Sequence, residues 1–328
     1  RIIAGAGSGK TRVVTYRIAH LIQDVGIDPR SILAITFTNK AANEMKERVN
    51  EVVGIHGSGT LICTIHSLCV RFLRQHINVL NYPSNFTIMD EEDQKALIKK
   101  LYTQLEIDAK VISIKSMINT ISSYKTARVS PQRAIELAGQ FSGELKKAKV
   151  YEAYENYKED HFLLDFDDLL LVSVKLLQSN EAVLDKYSKR FRYVMIDEYQ
   201  DTNHAQYLLA KLLASHWKNI AVVGDADQSI YAWRGADIQN ILDFEKDYPN
   251  CTSIKLEQNY RSTKIILDAA NAVIENNEGR PKKNLWTDKT EGAKIQHFTA
   301  QSEHEEAAFI GDTIAKKHDI HGVPYGDM

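Results

Sequence analysis

The sequence has few cysteines, no long apolar run and almost no net charge. Its three cysteines, Cys63, Cys69 and Cys251, are too few for a disulfide framework and fit a reducing cytosol. No apolar run approaches the roughly 18–20 residues that a bilayer-spanning helix needs, so we expect no membrane span. With 41 Lys and Arg against 43 Asp and Glu, the net charge of −2 excludes a uniformly basic nucleic-acid binder. A local basic groove remains compatible with this charge.

The chain has 328 residues, which is enough for about two domains or for one domain with a large insertion. Strand and helix patterns alternate over residues 1–80 and again over 162–254, which predicts an α/β fold with a parallel sheet. Residues 81–161 show only helical patterns and are expected to form an all-helical insertion. A second α/β pattern begins at 255–328, with a helix over 262–276 and a strand near 294–298.

A phosphate-binding loop is predicted at the start of the chain. Three glycines let the backbone N–H groups face phosphate oxygens, and the following helix presents its N-terminus to them. Lys10 is expected to reach the β- and γ-phosphates, and Thr11 to bind Mg²⁺. The alternative is a glycine-rich turn that happens to carry Lys-Thr. The loop consists of Ala4, Gly5, Ala6, Gly7, Ser8, Gly9, Lys10 and Thr11.

An apolar strand that ends in two acids provides the matching Walker B pattern. Asp197 is expected to hold Mg²⁺ through water, and Glu198 to orient and deprotonate the attacking water. Taken alone, this pattern is also typical of an ordinary strand with acidic residues at its carboxyl end. Because ligands bind at the carboxyl ends of strands in open α/β sheets, both motifs point to one crevice. Together they predict an NTPase and say nothing about what hydrolysis drives.

Longer motifs indicate which class of NTPase this is. In order along the chain they resemble motifs Ia, Ib, II, III and IV of superfamily 1A DNA helicases in the PcrA/UvrD/Rep branch, and a further segment resembles the re-entry into the motor domain. The resemblance implies a RecA-like motor domain over 1–80 and 162–254, a helical insertion over 81–161, and the incomplete start of a second RecA-like domain over 255–328. The segments are ITFTNKAA at 35–42, TIHS at 64–67, LDFDDL at 164–169, DEYQDTN at 197–203, VGDADQSIYAWRGA at 223–236 and LEQNYRST at 256–263.

The resemblance also assigns roles around the nucleotide. Gln228 is expected to sense the γ-phosphate, although its Gly-Asp-Ala-Asp context also suits a surface turn. Arg261 resembles an arginine finger that reaches across a domain cleft, the alternative being a surface salt bridge. Tyr260 and Arg12 resemble residues that sandwich adenine.

A second group of residues is expected at DNA. Aromatic rings stack on bases irrespective of sequence, and the resemblance gives this role to Tyr231, Trp233 and Phe37. The alternative for these three is core packing, which is commoner for such side chains. The predicted DNA-binding residues are Phe37, Thr38, Asn39, Thr64, His66, Tyr231, Trp233 and Arg234.

The resemblance implies an ATP- and Mg²⁺-dependent translocase on single-stranded DNA that acts as a helicase. It implies 3′→5′ movement and roles in replication, repair or plasmid replication. The expected partners are single-stranded and junction DNA and repair or replication-initiator proteins, and the expected state is a cytoplasmic monomer. Two other functions remain open, an ATP-gated DNA-binding module and the motor part of a helicase–nuclease.

The sequence departs from the whole family at both ends. The adenine-recognising segment before the phosphate loop is missing, as are motifs V and VI. We therefore expect a clipped N-terminus and a fragment that cannot unwind DNA by itself.

Two other patterns are interpreted as structural. Cys63, His66 and Cys69 have a metal-like spacing but lack a fourth ligand. Tyr151, Tyr154 and Tyr157 follow one helix face, which indicates packing rather than base stacking.

Overall fold

The computed structural model describes residues 1–280 and 282–328, without the side chains of Ile55 and Arg234. Its main sheet has six parallel strands in the order β3-β2-β6-β7-β1-β8. The predicted α/β class with a parallel sheet is therefore confirmed. The strands are β1 (Ile2–Ala4), β2 (Ile32–Thr36), β3 (Leu61–Thr64), β4 (Thr87–Ile88), β5 (Leu163–Leu164), β6 (Tyr193–Ile196), β7 (Ile220–Gly224) and β8 (Ile254–Leu256).

Helices cover both faces of this sheet. All five residues of β2 are buried, as expected for a strand packed on both sides. Alternate side chains of that strand enter different cores. Ile32 and Ala34 pack with the helices at 10–23 and 39–53, whereas Leu33 and Ile35 pack with those at 65–76, 166–179 and 204–213. The helices are α1 (Lys10–Gln23), α2 (Asn39–Val53), α3 (Ile65–His76), α4 (Glu91–Gln104), α5 (Ile114–Thr126), α6 (Pro131–Ala138), α7 (Ser142–Asp160), α8 (Phe166–Ser179), α9 (Glu181–Arg190), α10 (His204–Leu213), α11 (Gln239–Leu242), α12 (Phe244–Asp247), α13 (Lys264–Ile274) and α14 (Glu303–His321).

Helices α4 to α7 pack around a separate core that includes Leu101, Met117, Tyr151 and Tyr154. Tyr154 is fully buried there, which confirms that the tyrosine pattern serves packing. The short strand β4 lies inside the range expected to be all helical. It pairs in parallel with β5, where the chain returns to the main sheet.

The carboxyl ends of β1, β6 and β7 lie at one edge because all three strands run parallel. The phosphate loop follows β1, the two Walker B acids follow β6, and the loop of residues 223–236 begins at the end of β7. This edge therefore gathers the three segments that the sequence assigns to nucleotide chemistry.

The C-terminal part departs from expectation at one strand. Residues 294–298, which the structure describes, form no strand. A segment with high β propensity forms a strand only when its backbone N–H and C=O groups form hydrogen bonds with a neighbouring strand. In the described ranges, no helix is long and apolar enough to cross a membrane.

Candidate nucleotide and DNA site

The phosphate loop leaves β1 and turns directly into α1. Gly7 and Gly9 adopt positive φ angles of 66° and 87°, a backbone region that favours glycine. The Ser8 hydroxyl donates a 2.8 Å hydrogen bond back to the Gly5 carbonyl, which tightens the loop. Lys10 is the first residue of α1, so the helix N-terminus faces the space that the loop encloses.

Five predicted site residues lie together at this loop, four of them predicted to be catalytic and two, Thr11 and Asp197, predicted to bind the metal. The Lys10 ammonium lies 2.9 Å from Glu198 Oε2 and 3.3 Å from Gln228 Oε1. Thr11 Oγ1 donates to Asp197 Oδ2 at 3.3 Å. Segments that are more than 180 residues apart in sequence are thus joined by side-chain contacts.

Asp197 is well suited to a divalent cation. Burial and, second to it, the neighbouring Glu198 charge together raise its pKa to about 6, against the hydrogen bonds and the Lys10 charge that lower it. A carboxylate in such a place is stabilised by a cation, and hard oxygen donors are what Mg²⁺ prefers. Thr11 and Asp197 therefore fit the predicted Mg²⁺ site.

Glu198 occupies a strained backbone position with φ of 51° and ψ of 44°. Left-handed conformations are unfavourable for residues other than glycine and are found at functional sites when the surroundings hold them. Here the Glu198 N–H donates to Asp197 Oδ1 at 3.0 Å, and its carboxylate pairs with Lys10.

Aromatic side chains form a surface beside this site. The Phe37 and Tyr231 rings stack with centroids 5.3 Å apart, and Tyr231 and Trp233 lie 6.4 Å apart. Trp233 is 74% exposed and Phe37 is at the surface, so core packing does not explain either of them.

The polar residues predicted at DNA lie at helix N-termini. Thr38 caps α2 by accepting from the Ala41 N–H, and Thr64 caps α3 by accepting from the Ser67 N–H. Asn39 is exposed as the first residue of α2. His66 lies edge-on to Phe166 at 5.8 Å, and burial lowers its pKa. The side chain of Arg234 lies outside the described residues.

Comparison with known proteins decides the family. The UvrD/REP helicase N-terminal domain matches residues 1–249, and the UvrD-like helicase C-terminal domain matches 254–327. The chain belongs to the UvrD/REP helicase family. The resemblance predicted from its motifs is confirmed.

Two relatives illustrate the similarity. The ATP-dependent DNA helicase PcrA of Staphylococcus aureus (strain Mu50) is 50% identical over 327 residues, which cover 100% of this chain and 44% of that protein. The PcrA of Staphylococcus epidermidis (strain RP62A) is 48% identical over 327 residues, covering 100% of this chain and 45% of that protein. The chain thus spans less than half the length of these curated relatives.

The segment that resembles motif IV, residues 256–263, contacts the phosphate loop directly. The buried Asn259 amide donates to the Ala6 carbonyl at 2.6 Å, and the Tyr260 N–H donates to the Gly7 carbonyl at 3.0 Å. Asn259 Oδ1 also accepts from the Arg261 N–H at 2.8 Å, which places Arg261 beside the loop. Sequence reasoning missed Asn259, although it stands inside the quoted motif.

The two residues predicted to sandwich adenine each contact a neighbouring residue, and their role stays a prediction. The Tyr260 ring is 63% exposed, and its hydroxyl donates to Gln258 Oε1 at 3.0 Å. The Arg12 guanidinium lies over the Tyr16 ring, 5.4 Å from its centroid. Tyr260 is accessible to a base, whereas Arg12 contacts a ring that the sequence did not single out.

Gln200 is a second residue that sequence reasoning missed. Its Oε1 accepts from the Asp225 N–H at 2.9 Å, and its Nε2 donates to Glu198 Oε2 at 3.0 Å. This buried amide connects the Walker B acid to the segment that carries Gln228. Phe166 is a third such residue, because its ring is half exposed next to His66.

Both cysteines of the cysteine–histidine pattern lie in the core beside β3 and α3. Cys63 and Cys69 are buried, and burial raises their pKa to about 11 and about 12, which disfavours the thiolate that binds zinc. Among the described residues, the group that could supply three metal ligands is Glu155, Asp165 and Asp168. Two lysine ammonium groups, those of Lys125 and Lys158, already form ion pairs with these three acids.

Proposed function

We propose that the protein to which this chain belongs is an ATP-driven translocase on single-stranded DNA that unwinds duplexes with 3′→5′ polarity. The observation that carries the proposal is the loop of residues 223–236. Within four residues it contacts the nucleotide site through Gln228 and stacks on Phe37 through Tyr231. A movement of this loop at the phosphates therefore also displaces the aromatic side chains that the loop carries.

We assign ATP to the crevice between the domain of residues 1–80 and 162–254 and the segment 255–328. Lys10 and the loop amides bind the phosphates. Thr11 and Asp197 hold Mg²⁺, which when bound neutralises charge on the phosphate oxygens. Glu198 orients and deprotonates water, and Gln228 and Arg261 stabilise the transferring charge.

Nucleotide binding also changes the partner of Lys10. With its ammonium drawn to the phosphates, Lys10 releases Glu198 and Gln228, which it contacts at 2.9 and 3.3 Å in this structure. Glu198 is then available as a base, and the Gln228 amide is available to the γ-phosphate. This exchange explains how one lysine links binding to activation.

DNA is assigned to the aromatic surface of Phe37, Tyr231 and Trp233. Base stacking contributes roughly 1–3 kcal/mol for each ring and tolerates any sequence, as a translocase requires. Helix N-termini capped by Thr38 and Thr64 offer backbone N–H groups to the phosphodiester chain. We place the protein in the cytosol as a monomer, with repair or replication-initiator proteins as partners.

The test is ATP hydrolysis by the full-length protein with and without single-stranded DNA. We expect strong stimulation by DNA, with loss of about 10²–10⁴-fold in Glu198→Gln, the range of general acid–base catalysis, and loss in Lys10→Ala. The exposed Lys316→Ala is the matched control and should retain full activity.

Two other outcomes separate the alternatives. ATP binding without DNA stimulation contradicts the motor and favours an ATP-gated DNA-binding module. Stimulated hydrolysis without strand separation limits the proposal to translocation.

A further inference from the structure

Two cations of the segment that follows α13 meet two carboxylates of the loop at 223–236. The Lys283 ammonium contacts both Asp225 and Asp227, and Arg280 Nη1 lies 3.2 Å from Asp227 Oδ2. All four side chains are at most 12% exposed, with Lys283 at 4% and Asp225 at 2%. The group belongs to neither of the predicted sites.

Asp225 also contacts Gln228, so this ion pair does more than hold two segments of the chain together. Its Oδ1 accepts from Lys283, and its Oδ2 accepts from Gln228 Nε2 at 2.5 Å. The carbonyl end of the same Gln228 amide faces Lys10 Nζ at 3.3 Å. A continuous chain of contacts therefore runs from Lys283 through Asp225 and Gln228 to the phosphate-binding lysine.

The orientation of the Gln228 amide depends on this chain. An amide has a donor end and an acceptor end, and the Asp225 carboxylate fixes which way the Gln228 amide is turned by accepting from Nε2. Without the Lys283 charge, Arg280 is the remaining cation that the described residues place at this pair, and it contacts Asp227. The Asp225 and Asp227 carboxylates then repel each other in a place of low polarity. Asp225 then no longer holds the amide in one orientation.

We propose that Lys283 is a positioning residue for ATP hydrolysis, acting through Asp225 on Gln228. The inference rests on the proposed ATPase function and deepens it, because it names a contact by which the segment 255–328 controls the phosphate sensor of the first domain. Movement of this segment withdraws Lys283 and releases the sensor. Hydrolysis is thereby made dependent on the relative placement of the two parts.

The test compares Lys283→Gln, Lys283→Arg and the exposed neighbour Lys282→Gln in the full-length protein with saturating oligo-dT. We expect Lys283→Gln to lower kcat about 10- to 100-fold, the usual cost of losing a positioning contact. KM for ATP should change less than about threefold, because Lys10 and the loop amides remain. Lys283→Arg should restore most of kcat, and Lys282→Gln should match the wild type.

A charge-balanced double variant, Asp227→Asn with Lys283→Gln, separates positioning from folding. It keeps one cation and one anion in the group but still leaves Asp225 without its lysine, so kcat should stay low. An unchanged kcat in Lys283→Gln, a loss that Lys283→Arg fails to relieve, or recovery in the double variant overturns the proposal. A wild type without DNA-stimulated hydrolysis overturns the proposed function before any variant is compared.

Discussion

At the scale of single residues, one buried amide joins two of the motifs at the nucleotide site. Gln200 is 1% exposed and uses both ends of its side chain, accepting from the Asp225 N–H and donating to Glu198 and Asp201. A Cβ atom on Gly224 would lie 2.7 Å from Gln200 Oε1. Glycine at the end of β7 therefore leaves the space that the Gln200 side chain occupies. The amide thereby holds the proposed base at a set distance from β7.

We expect Gln200→Ala to lower both stability and ATP turnover. Truncation leaves the buried Asp225 N–H unsatisfied, which costs roughly 1–3 kcal/mol, and it removes one of the contacts that hold the Glu198 carboxylate. Denaturant unfolding and kcat would be measured, with the exposed Gln178→Ala as the control. Turnover equal to wild type in a folded Gln200→Ala protein would show that Glu198 needs no such support.

Asp167 is a residue-scale test of pH dependence. Burial raises its pKa from 3.8 to about 6, with the Asp165 charge adding to the rise and the Ser122 hydrogen bond opposing it. Because the folded-state pKa lies above the unfolded one, the stabilising effect of this group is fully present below pH 3.8 and is lost as pH rises through about 6.

Asp167→Asn should therefore be more stable than the wild type at pH 7.5, by about 1–3 kcal/mol, and nearly equal to it near pH 4. Urea unfolding across this pH range measures the difference. The exposed Asp312→Asn is expected to show no such pH dependence, and a parallel pair of curves for Asp167→Asn and wild type would contradict the prediction.

At the scale of elements, buried charges join the helical insertion to the main sheet domain. Asp165 and Asp168 form a capping box at the start of α8, each side chain accepting from the other's backbone N–H at 2.9 Å. Lys125 of α5 lies 2.5 Å from Asp165 and 2.7 Å from Asp168, and Lys158 of α7 contacts the same acids. Three helices thus meet at two capping carboxylates.

Removing one cation from this cluster should be costly. Lys125→Met leaves buried carboxylates without enough counter-charge, and breaking a buried pair in this way costs roughly 3–5 kcal/mol. Lys115→Met, at an exposed position of the same helix, is the control. Denaturant unfolding of both variants checks the prediction, and equal stabilities would show that water or relaxation compensates for the lost charge.

At the scale of the whole molecule, the nucleotide site and the aromatic surface share the loop of residues 223–236. Its first part carries Asp225 and Gln228 at the phosphate loop, and its second part carries Tyr231 and Trp233 at the surface. The chain path is too short for the two parts to move independently. Coupling between ATP and DNA is therefore expected from connectivity alone.

Trp233→Ala tests this coupling in the full-length protein. We expect the DNA concentration for half-maximal ATPase to rise roughly 5- to 150-fold, which corresponds to the 1–3 kcal/mol of one stacked base. Hydrolysis without DNA should persist, because Lys10 and Glu198 are untouched. Trp217→Ala, a half-exposed tryptophan on another surface, is the control, and unchanged DNA dependence in Trp233→Ala would return this side chain to a structural role.

Local pattern was enough to predict the α/β class, the helix that follows the phosphate loop and the two Walker segments. These features depend on residues that are neighbours in sequence: a period in hydrophobicity, glycines in a turn, acids at a strand end. The strand expected near 294–298 was wrong, because a strand also needs a partner that its own residues do not specify.

The partners of side chains were beyond reach of the sequence. Gln200, Asn259 and Lys283 act through contacts to residues 25, 253 and 58 positions away. Gln200 and Asn259 stand inside quoted motifs, but their neighbours in sequence do not reveal these partners. The sequence alone determined the functional residues that stand in contiguous motifs. The tertiary structure decided their hydrogen-bond partners, because the strand order β3-β2-β6-β7-β1-β8 brings polar groups together that are distant in sequence.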